Sequence, residues 1–393
     1  MTLWTGRRRT LATTILVAAG AIASAVHPGT ALAGPALLVD ASSGRVIYSE
    51  DADDLWHPAS VTKVMTAYLV FEAIKAGKIS LDSKIVQSEL SHAEPPSKVG
   101  LPVGGELTVE VGLKALIVKS ANDVAIMLAE AVGGSKDAFV EHMNATAKRL
   151  GMTRTKFVNP HGLPAPDQVT TARDLAKLAR AVLRDFPEHA ALWAMPDMRI
   201  GRIKLRTHNR LLKTYEGADG LKTGFTCDSG YNVVATATRD GRKLVAVVLG
   251  EPSGLARNTR TANLLEHGFQ YAAWMETLAA PTFDRMAMPA NAAGQPVSVR
   301  ETVAGFECGR PRPRVARTKR PMPKSAQIKA AAAAKQKQRQ AAVQQGGEAT
   351  PSAAGKTAPQ AASAAQQAAP AAAAPKAPVA AKAPAAPVAK VAQ

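Results

Sequence analysis

The first apolar segment of the chain predicts a β-hairpin. Residues 36–49 place apolar runs on both sides of the small polar segment Ala41-Ser42-Ser43-Gly44, a pattern typical of two strands joined by a turn. An almost continuous apolar run follows from Val61 to Phe71 and predicts a helix that ends near Gly77. A helix that is apolar on nearly all sides belongs in the core of a protein.

The pattern becomes helical in the middle of the chain and returns to strands later. Helices are predicted over residues 108–132, 136–150 and 175–183. Residues 231–238 and 243–250 are β-rich and flank Arg239-Asp240-Gly241, which favours a second hairpin, and residues 264–274 are again helical. We therefore predict an α+β fold, in which one antiparallel sheet is built from N- and C-terminal segments around a helical middle.

The charge of the chain is concentrated at its two ends. Of 393 residues, 49 are Lys or Arg and 31 are Asp or Glu, a net charge of +18. Residues 34–309 hold 31 basic and 30 acidic side chains, so the segment that can fold is nearly neutral. A nucleic-acid-binding protein that is basic throughout its folded part is excluded.

The N-terminal charge belongs to a predicted export signal over residues 1–33. Arg7, Arg8 and Arg9 precede an apolar stretch, and Ala31-Leu32-Ala33 supplies a small-x-small cleavage pattern before Gly34. These features favour a removed secretory signal peptide over a retained membrane anchor, which needs about 20 strongly apolar residues. We expect an exported protein, periplasmic or associated with the cell envelope.

The C-terminal charge belongs to a low-complexity tail. Residues 310–393 contain 15 Lys or Arg, one acid and no Leu, Phe, Tyr or Trp. Such a segment cannot bury enough apolar surface to offset the entropy of ordering, so we predict a disordered tail. Residues 34–275 then form the main domain, and residues 276–309 are a short extension.

The two cysteines are Cys227 and Cys308. In an exported protein an even pair is compatible with one disulfide bond. Two unpaired thiols are the alternative, because sequence separation does not give the Cα distance.

Three short motifs carry candidate chemistry. Ser60-Val61-Thr62-Lys63 puts a hydroxyl and an amine on one helical face, and a lysine in an apolar helix needs a partner or a depressed pKa. Ser120-Ala121-Asn122 pairs a hydroxyl with an amide, and Lys222-Thr223-Gly224 follows Asp219-Gly220 at a predicted strand entry. Taken singly, each has a structural explanation: a helix N-cap for Ser60, a cap or turn for Ser120 and Asn122, and a solvated strand entry for Lys222.

In this order the motifs resemble those of penicillin-interacting serine enzymes. Residues 34 to about 275 are similar to the low-molecular-mass penicillin-binding D-alanyl-D-alanine carboxypeptidases. The segments that carry this resemblance are DASSGRVIYSEDADDLWHPASVTKVMTAYLV, SANDVAIMLAE, NPHGLPAPDQVTTARDLAKLA, THNRLL and GLKTGFTCDSGYNVVATA. The resemblance implies a β-lactamase/transpeptidase-like fold and a serine D,D-peptidase.

The resemblance also implies a role for each motif residue. Ser60 would be the nucleophile, Lys63 its base and Ser120 a proton relay toward the leaving amine. The implied substrate-binding residues are Asn122, Lys222, Thr223, Gly224, Phe225 and Arg257. Arg260 lies near enough to leave the choice of arginine open, and the backbone N–H groups of Ser60 and Phe225 would form the oxyanion hole.

The implied partners are peptidoglycan stem peptides as substrates and β-lactams as covalent inhibitors. Removal of the terminal D-Ala is the expected reaction, with cleavage of crosslinks by a D,D-endopeptidase as the alternative. A serine β-lactamase is disfavoured because no Glu-x-x-Leu-Asn motif is found and the second motif is Ser-Ala-Asn. We expect no cofactor or metal, because the eight histidines form no His-x-x-x-His cluster.

A non-enzymatic role rests on the tail. Its charge favours electrostatic tethering to an anionic envelope polymer or lipid surface, whereas export argues against nucleic acid.

The NPHG segment at Asn159-Pro160-His161-Gly162 is interpreted as a rigid turn rather than a source of a catalytic histidine.

Overall fold

The computed structural model describes residues 34–277, 280–304 and residue 308. The predicted signal peptide and the predicted basic tail lie outside these residues.

One antiparallel sheet joins the two ends of the described chain. The strands in chain order are β1 Ala36–Asp40, β2 Val46–Glu50, β3 Lys84–Val86, β4 Glu106–Thr108, β5 Asp197–Ile200, β6 Ile203–Arg206, β7 Ala218–Thr226, β8 Gly230–Arg239 and β9 Arg242–Glu251. The sheet has the order β2-β1-β9-β8-β7, and Leu38 of β1 lies opposite Ala246 of β9. The predicted assembly of one sheet from distant segments, including both hairpins, is confirmed.

Helices occupy the middle of the chain, and two more follow the last strand of the sheet. They are α1 Lys63–Lys75, α2 Glu89–Ala93, α3 Val109–Lys114, α4 Asn122–Gly133, α5 Lys136–Arg149, α6 Ala172–Asp185, α7 Ala190–Trp193, α8 Leu211–Thr214, α9 Gly254–Thr277 and α10 Arg300–Ala304. Ser135 and Thr171 cap α5 and α6, since each side chain accepts from a main-chain N–H of the first turn. Within the described residues no helix is both long and apolar enough to cross a bilayer.

The predicted apolar helix forms the centre of the core. A 3₁₀ turn at Ala59–Thr62 leads directly into α1. Val64, Met65, Tyr68 and Phe71 of α1 are all at most 1% exposed. Burial on every side explains why this helix lacks a polar face, and it fixes the residues at its N-terminus.

The prediction of one helix over residues 108–132 is wrong. α3 continues as a π-helical turn at Ala115–Lys119, and the helix then stops at Ser120, whose φ of 62° is left-handed. α4 begins after this break. A left-handed backbone is unfavourable for a residue other than glycine unless its surroundings hold it there, and the contacts of Ser120 described below do so.

Two local predictions also need correction. Ser60 is not a helix N-cap, because it lies inside the 3₁₀ turn that Pro58 precedes. β7 begins at Ala218, so Asp219 lies within the strand rather than in a turn before it. Hydroxyls of Thr236 and Thr238 donate to the Asp219 carboxylate, which explains how an acidic residue is accommodated in a sheet strand.

The C-terminal extension is attached to the turn between β7 and β8. Cys227 and Cys308 form a disulfide that closes a segment of 81 residues. Arg300 donates two hydrogen bonds to Asp228 at 2.8 and 2.9 Å, and Val299 N donates to Asp228 O. Closing a loop of this length stabilises a folded chain by about 4.5 kcal/mol in the chain-entropy account, because the disulfide constrains the unfolded chain.

Candidate active site

The first motif places a buried amine beside a hydroxyl. Nζ of Lys63 lies 3.0 Å from Oγ of Ser60, and Lys63 is 1% exposed. Ser60 is partly exposed and lines a cavity of about 550 Å³. The hydroxyl is therefore accessible from the cavity, whereas the amine behind it is not.

The partners of Lys63 Nζ suit an uncharged amine. Besides Ser60, the nitrogen lies 2.7 Å from Asn122 Oδ1 and 2.6 Å from the main-chain oxygen of His161. The Asn122 amide nitrogen donates to Pro95 O, which fixes its oxygen toward the lysine. A neutral amine has two N–H donors and one lone pair. The two carbonyl oxygens can accept the two N–H groups, which leaves the lone pair for the Ser60 hydroxyl.

Burial and neighbouring charges together favour the neutral form of the Lys63 amine. Burial is the main cause that brings the pKa of Lys63 well below its usual range, and the charge of Lys222 lowers it further. Glu94 and Asp123 act in the opposite direction. A depressed pKa raises the neutral fraction of the buried amine above that of an ordinary lysine, which is the change that a general base requires.

The second and third motifs meet across the cavity. Lys222 of β7 donates to Oγ of Ser120 at 2.9 Å and to the main-chain oxygen of Thr223 at 2.9 Å. Lys222 is 2% exposed, and its burial, with the charge of Arg257, lowers its pKa to about 7. A carboxylate bound beside it would favour the protonated form. The left-handed backbone at Ser120 turns its hydroxyl toward β7, where this hydrogen bond holds it.

Gly224 allows β7 to lie against the first turn of the buried helix. A Cβ atom at this position would lie 2.9 Å from Ser60 N and 2.9 Å from Pro58 O. Both distances are shorter than real side chains tolerate, so only glycine permits this approach. The strand backbone is thereby brought against the main-chain N–H of Ser60, with Phe225 as the next residue.

The two candidate arginines are in different surroundings. Arg257 lines the cavity and is 5% exposed. Burial lowers its pKa to about 10, so it remains protonated at neutral pH. Arg260 is bound to Glu50 and Glu251, each at 2.8 Å, and it does not line this cavity. Its ion pairs fix Arg260 away from Ser60.

Other groups at this end of the cavity were not singled out in the sequence. His208 and Arg210 line it, and burial, with Lys222, Lys119 and Arg257, lowers the pKa of His208 to about 4. His208 is therefore neutral at physiological pH. Both belong to the THNRLL segment, which carried the family resemblance but gave no chemical signal of its own.

The NPHG turn contributes main-chain carbonyls to the site. Pro160 O accepts from Thr66 at 2.5 Å and His161 O from Lys63 at 2.6 Å. The His161 ring is buried, with Nε2 3.3 Å from Glu94 Oε1. The turn holds the lysine, while the imidazole faces away toward Glu94. Sequence reasoning missed this role because main-chain acceptors leave no residue-type signal.

The described residues offer no grouping of three or more His, Cys, Asp or Glu side chains suited to holding a metal ion. The chemistry available at this site is that of a hydroxyl, a buried amine and a set of fixed cations.

The fold and this serine–lysine arrangement are those of penicillin-interacting serine enzymes. Residues 22–253 match the profile of the D-alanyl-D-alanine carboxypeptidase family, peptidase S11. The chain belongs to this family.

Individual relatives agree with the family match. D-alanyl-D-alanine carboxypeptidase DacC of Escherichia coli is 38% identical over 242 residues, which is 60% of each chain. The D-alanyl-D-alanine carboxypeptidase of Streptomyces sp. strain K15 is 30% identical over 291 residues, covering 67% of this chain and 98% of the relative. The chain thus spans about 60% of the length of the E. coli relative.

A solved structure of similar fold contains a β-lactam. Penicillin-binding protein D2 of Listeria monocytogenes in its cefotaxime-bound form is 33% identical, with a TM-score of 0.56 over 60% of this chain and 97% of that one. A β-lactam therefore binds a protein of this fold.

Proposed function

We propose that the protein is a serine D-alanyl-D-alanine carboxypeptidase that removes the terminal D-Ala from peptidoglycan stem peptides. The observation that carries the proposal is the set of partners around Lys63. Two carbonyl oxygens accept hydrogen bonds from Nζ, and the Ser60 hydroxyl lies 3.0 Å from the same nitrogen, so the neutral amine can accept the hydroxyl proton.

Acylation begins when Ser60 Oγ attacks the carbonyl carbon of the penultimate D-Ala and Lys63 accepts the hydroxyl proton. The carbonyl oxygen becomes an oxyanion, which the N–H groups of Ser60 and Phe225 stabilise. The C–N bond then breaks, and the leaving nitrogen receives a proton through Ser120. An ester on Ser60 and free D-Ala result.

Deacylation reverses the proton path. A water molecule attacks the ester carbonyl, Lys63 accepts a proton from it, and the shortened peptide leaves as Ser60 regains its hydrogen.

β-Lactams acylate the same hydroxyl, but their leaving nitrogen stays tethered to the acyl group. On this account β-lactams are covalent inhibitors.

The cationic end of the cavity binds the terminal carboxylate of the substrate. Lys222 and Arg257 supply positive charge and Thr223 supplies a hydroxyl, while Asn122 orients the substrate amide. Fixed cations facing an anion in a partly desolvated site act through charge-assisted hydrogen bonds. The leaving D-Ala therefore lies at this end of the cavity.

Replacement of Arg257 by glutamine tests the carboxylate site. We expect KM for a D-Ala-D-Ala peptide to rise about 10- to 100-fold, because a charge-assisted hydrogen bond contributes about 1.5–3 kcal/mol, while kcat changes much less. Steady-state kinetics of D-Ala release provide the measurement.

Arg260→Gln is the matched control, because Arg260 lies on the same helix but pairs with Glu50 and Glu251. It should leave KM within about threefold of the wild type, since it removes no proposed substrate contact. Equal KM effects for the two variants would contradict the assignment.

Product analysis separates the proposed reaction from its alternative. The protein is incubated with a defined stem pentapeptide and with a crosslinked dimer, and the products are identified by mass. Release of D-Ala from the pentapeptide, faster than cleavage of the dimer, supports the carboxypeptidase. Cleavage of the dimer alone would establish the endopeptidase and overturn the proposal.

Export and retention at the envelope complete the proposal. The N-terminal signal pattern supports secretion, and the basic composition of residues 310–393 supports an electrostatic tether to an anionic polymer or lipid surface. Deletion of these residues should reduce envelope retention at low salt. Unchanged retention at low salt would contradict the tether.

A further inference from the structure

Two consecutive residues after α2 reach the two groups whose oxygens accept hydrogen bonds from Lys63. Pro95 O accepts from the Asn122 amide nitrogen at 2.9 Å, and Oε1 of Glu94 lies 3.3 Å from Nε2 of His161. Asn122 and His161 supply the carbonyl oxygens that lie against Lys63 Nζ. The proposed reaction depends on both oxygens, but it gives no part to Glu94.

The neighbours of the His161 ring determine which of its nitrogens carries a proton. Leu163 N donates to Nδ1 at 3.1 Å, so Nδ1 presents its lone pair. Burial, with the charges of Lys63 and Lys136, lowers the pKa of His161, so the ring is neutral at physiological pH. Its single N–H is then at Nε2, which faces the Glu94 carboxylate. Attraction between this N–H and the carboxylate holds the ring, and with it the main-chain oxygen of the same residue.

The Glu94 carboxylate belongs to a segment that is bound firmly to the second motif. Ser97 O accepts from Asn122 N at 2.7 Å, and Gly100 N donates to the Asp123 carboxylate at 2.8 Å. The Glu94 side chain is only 14% exposed. A carboxylate in such surroundings interacts strongly with nearby charges, because little water or salt screens it.

The elements packed around Lys63 bring charges of both signs toward its amine. Lys222 of β7 is a cation, Asp123 of α4 and Glu94 after α2 are carboxylates, and the neutral His161 belongs to the NPHG turn. Burial and Lys222 lower the pKa of Lys63, whereas the two carboxylates raise it. With a protonated Lys63, these two cations and two carboxylates balance. The carboxylates therefore favour the protonated state of the base.

The protonated state of Lys63 forms during each acylation. Ser60 loses its proton to Lys63 Nζ as Oγ bonds to the carbonyl carbon, so an ammonium forms at a buried position. A buried ammonium is costly unless a counter-charge lies nearby. We propose that Glu94 is a positioning residue for this proton transfer, because its carboxylate holds the His161 ring and balances the ammonium that forms on Lys63. This inference rests on the proposed function and adds a residue that touches neither the substrate nor the reacting atoms.

Glu94→Gln removes the charge and keeps an oxygen that can face His161 Nε2. The measurement is the rate of acylation by a fluorescent penicillin as a function of pH, followed by stopped-flow. Without the carboxylate the pKa of Lys63 falls, so the acidic limb, where the rate is lost as Lys63 becomes protonated, should move to lower pH by about one unit. A weaker base accepts a proton less readily, so the rate above this limb should fall about three- to tenfold.

Glu94→Asp separates the charge from a merely structural role, because it keeps a carboxylate and should keep the acidic limb within about 0.3 pH unit of the wild type. Glu89→Gln, at an exposed position of α2, is the matched control and should change neither the limb nor the rate. An acidic limb of Glu94→Gln that coincides with that of the wild type would overturn the proposal. So would a limb that moves equally in Glu94→Asp.

A measurement on the wild type decides the matter if the variants do not fold. In ¹⁵N-histidine NMR spectra, the assigned His161 ring should show a neutral imidazole with its proton on Nε2, and a proton on Nδ1 would overturn the proposal. Failure of the proposed function is distinguishable. A wild-type protein that is acylated by penicillin but releases no D-Ala would exclude the carboxypeptidase, while the pH profiles would still decide the role of Glu94 in acylation.

Discussion

Replacement of Ser60 by alanine is expected to lower D-Ala release by at least about 10⁴-fold. The substitution removes the atom that forms the acyl bond, and loss of a nucleophile costs more than loss of groups that only position or bind. The buried partners of Lys63 at Asn122 and His161 remain, so the fold should be unaffected. The measurement is D-Ala release under single-turnover conditions, with the thermal midpoint as a check of folding.

Ser80→Ala is the matched control for this variant. Ser80 is an exposed serine whose hydroxyl lies 3.2 Å from that of Ser83 and which does not line the catalytic cavity, so its replacement should leave D-Ala release within about twofold. Activity of Ser60→Ala within tenfold of the wild type would exclude Ser60 as the nucleophile.

Replacement of Lys63 by methionine is expected to slow acylation by about 10²- to 10⁴-fold, the range over which a general base contributes. Methionine has a similar length and no charge, so it suits a site from which water is excluded. The rate of acylation by a fluorescent penicillin, measured by stopped-flow, gives the effect separately from deacylation.

The pH dependence of the wild type follows from the same residue. Lys63 acts as a base only when neutral, so acylation should fall as the pH is lowered through its pKa. Burial and the charge of Lys222 lower that pKa, so the fall should occur well below the titration of ordinary lysines near pH 10.4. Lys75→Met, an exposed lysine of the same helix, should change neither the rate nor this profile. A profile that rises only with bulk lysines would contradict the role of Lys63.

Local sequence patterns were sufficient to predict most of the sheet and the buried helix. Alternating and continuous apolar runs report how a segment is buried, and the Ser43-Gly44 and Asp240-Gly241 turns report where it reverses. These signals depend on neighbouring residues alone. They can therefore be recognised without knowledge of the tertiary structure.

The break at Ser120 could not be predicted in this way. Residues 108–132 have a helical pattern on both sides of the break, and the partner of the Ser120 hydroxyl, Lys222, lies 102 residues away. Asp219 was misplaced for a similar reason, because the hydroxyls that bind it come from the neighbouring strand β8. Interactions across the fold override local preference at these positions.

The residues of the candidate site show the same contrast between local signals in the sequence and contacts that depend on the tertiary structure. Ser60, Lys63, Ser120 and Lys222 were identified from motif order, because residue types carry that signal. Arg257 and Arg260 lie within one helical turn, and tertiary structure distinguishes them: Arg260 pairs with Glu50 and Glu251, whereas Arg257 lines the cavity. The main-chain oxygen of His161 has no signal in side-chain chemistry, yet it accepts a hydrogen bond from the proposed base.

The central claim is that an acyl-enzyme forms on Ser60, and mapping a penicillin adduct by peptide mass spectrometry tests it most directly. The wild-type protein is labelled, quenched with acid and digested, and the modified peptide is sequenced in the mass spectrometer. We predict a single penicilloyl group on Ser60. An adduct on Ser120 or on a lysine in place of Ser60, or an unmodified protein after prolonged incubation, would contradict the account.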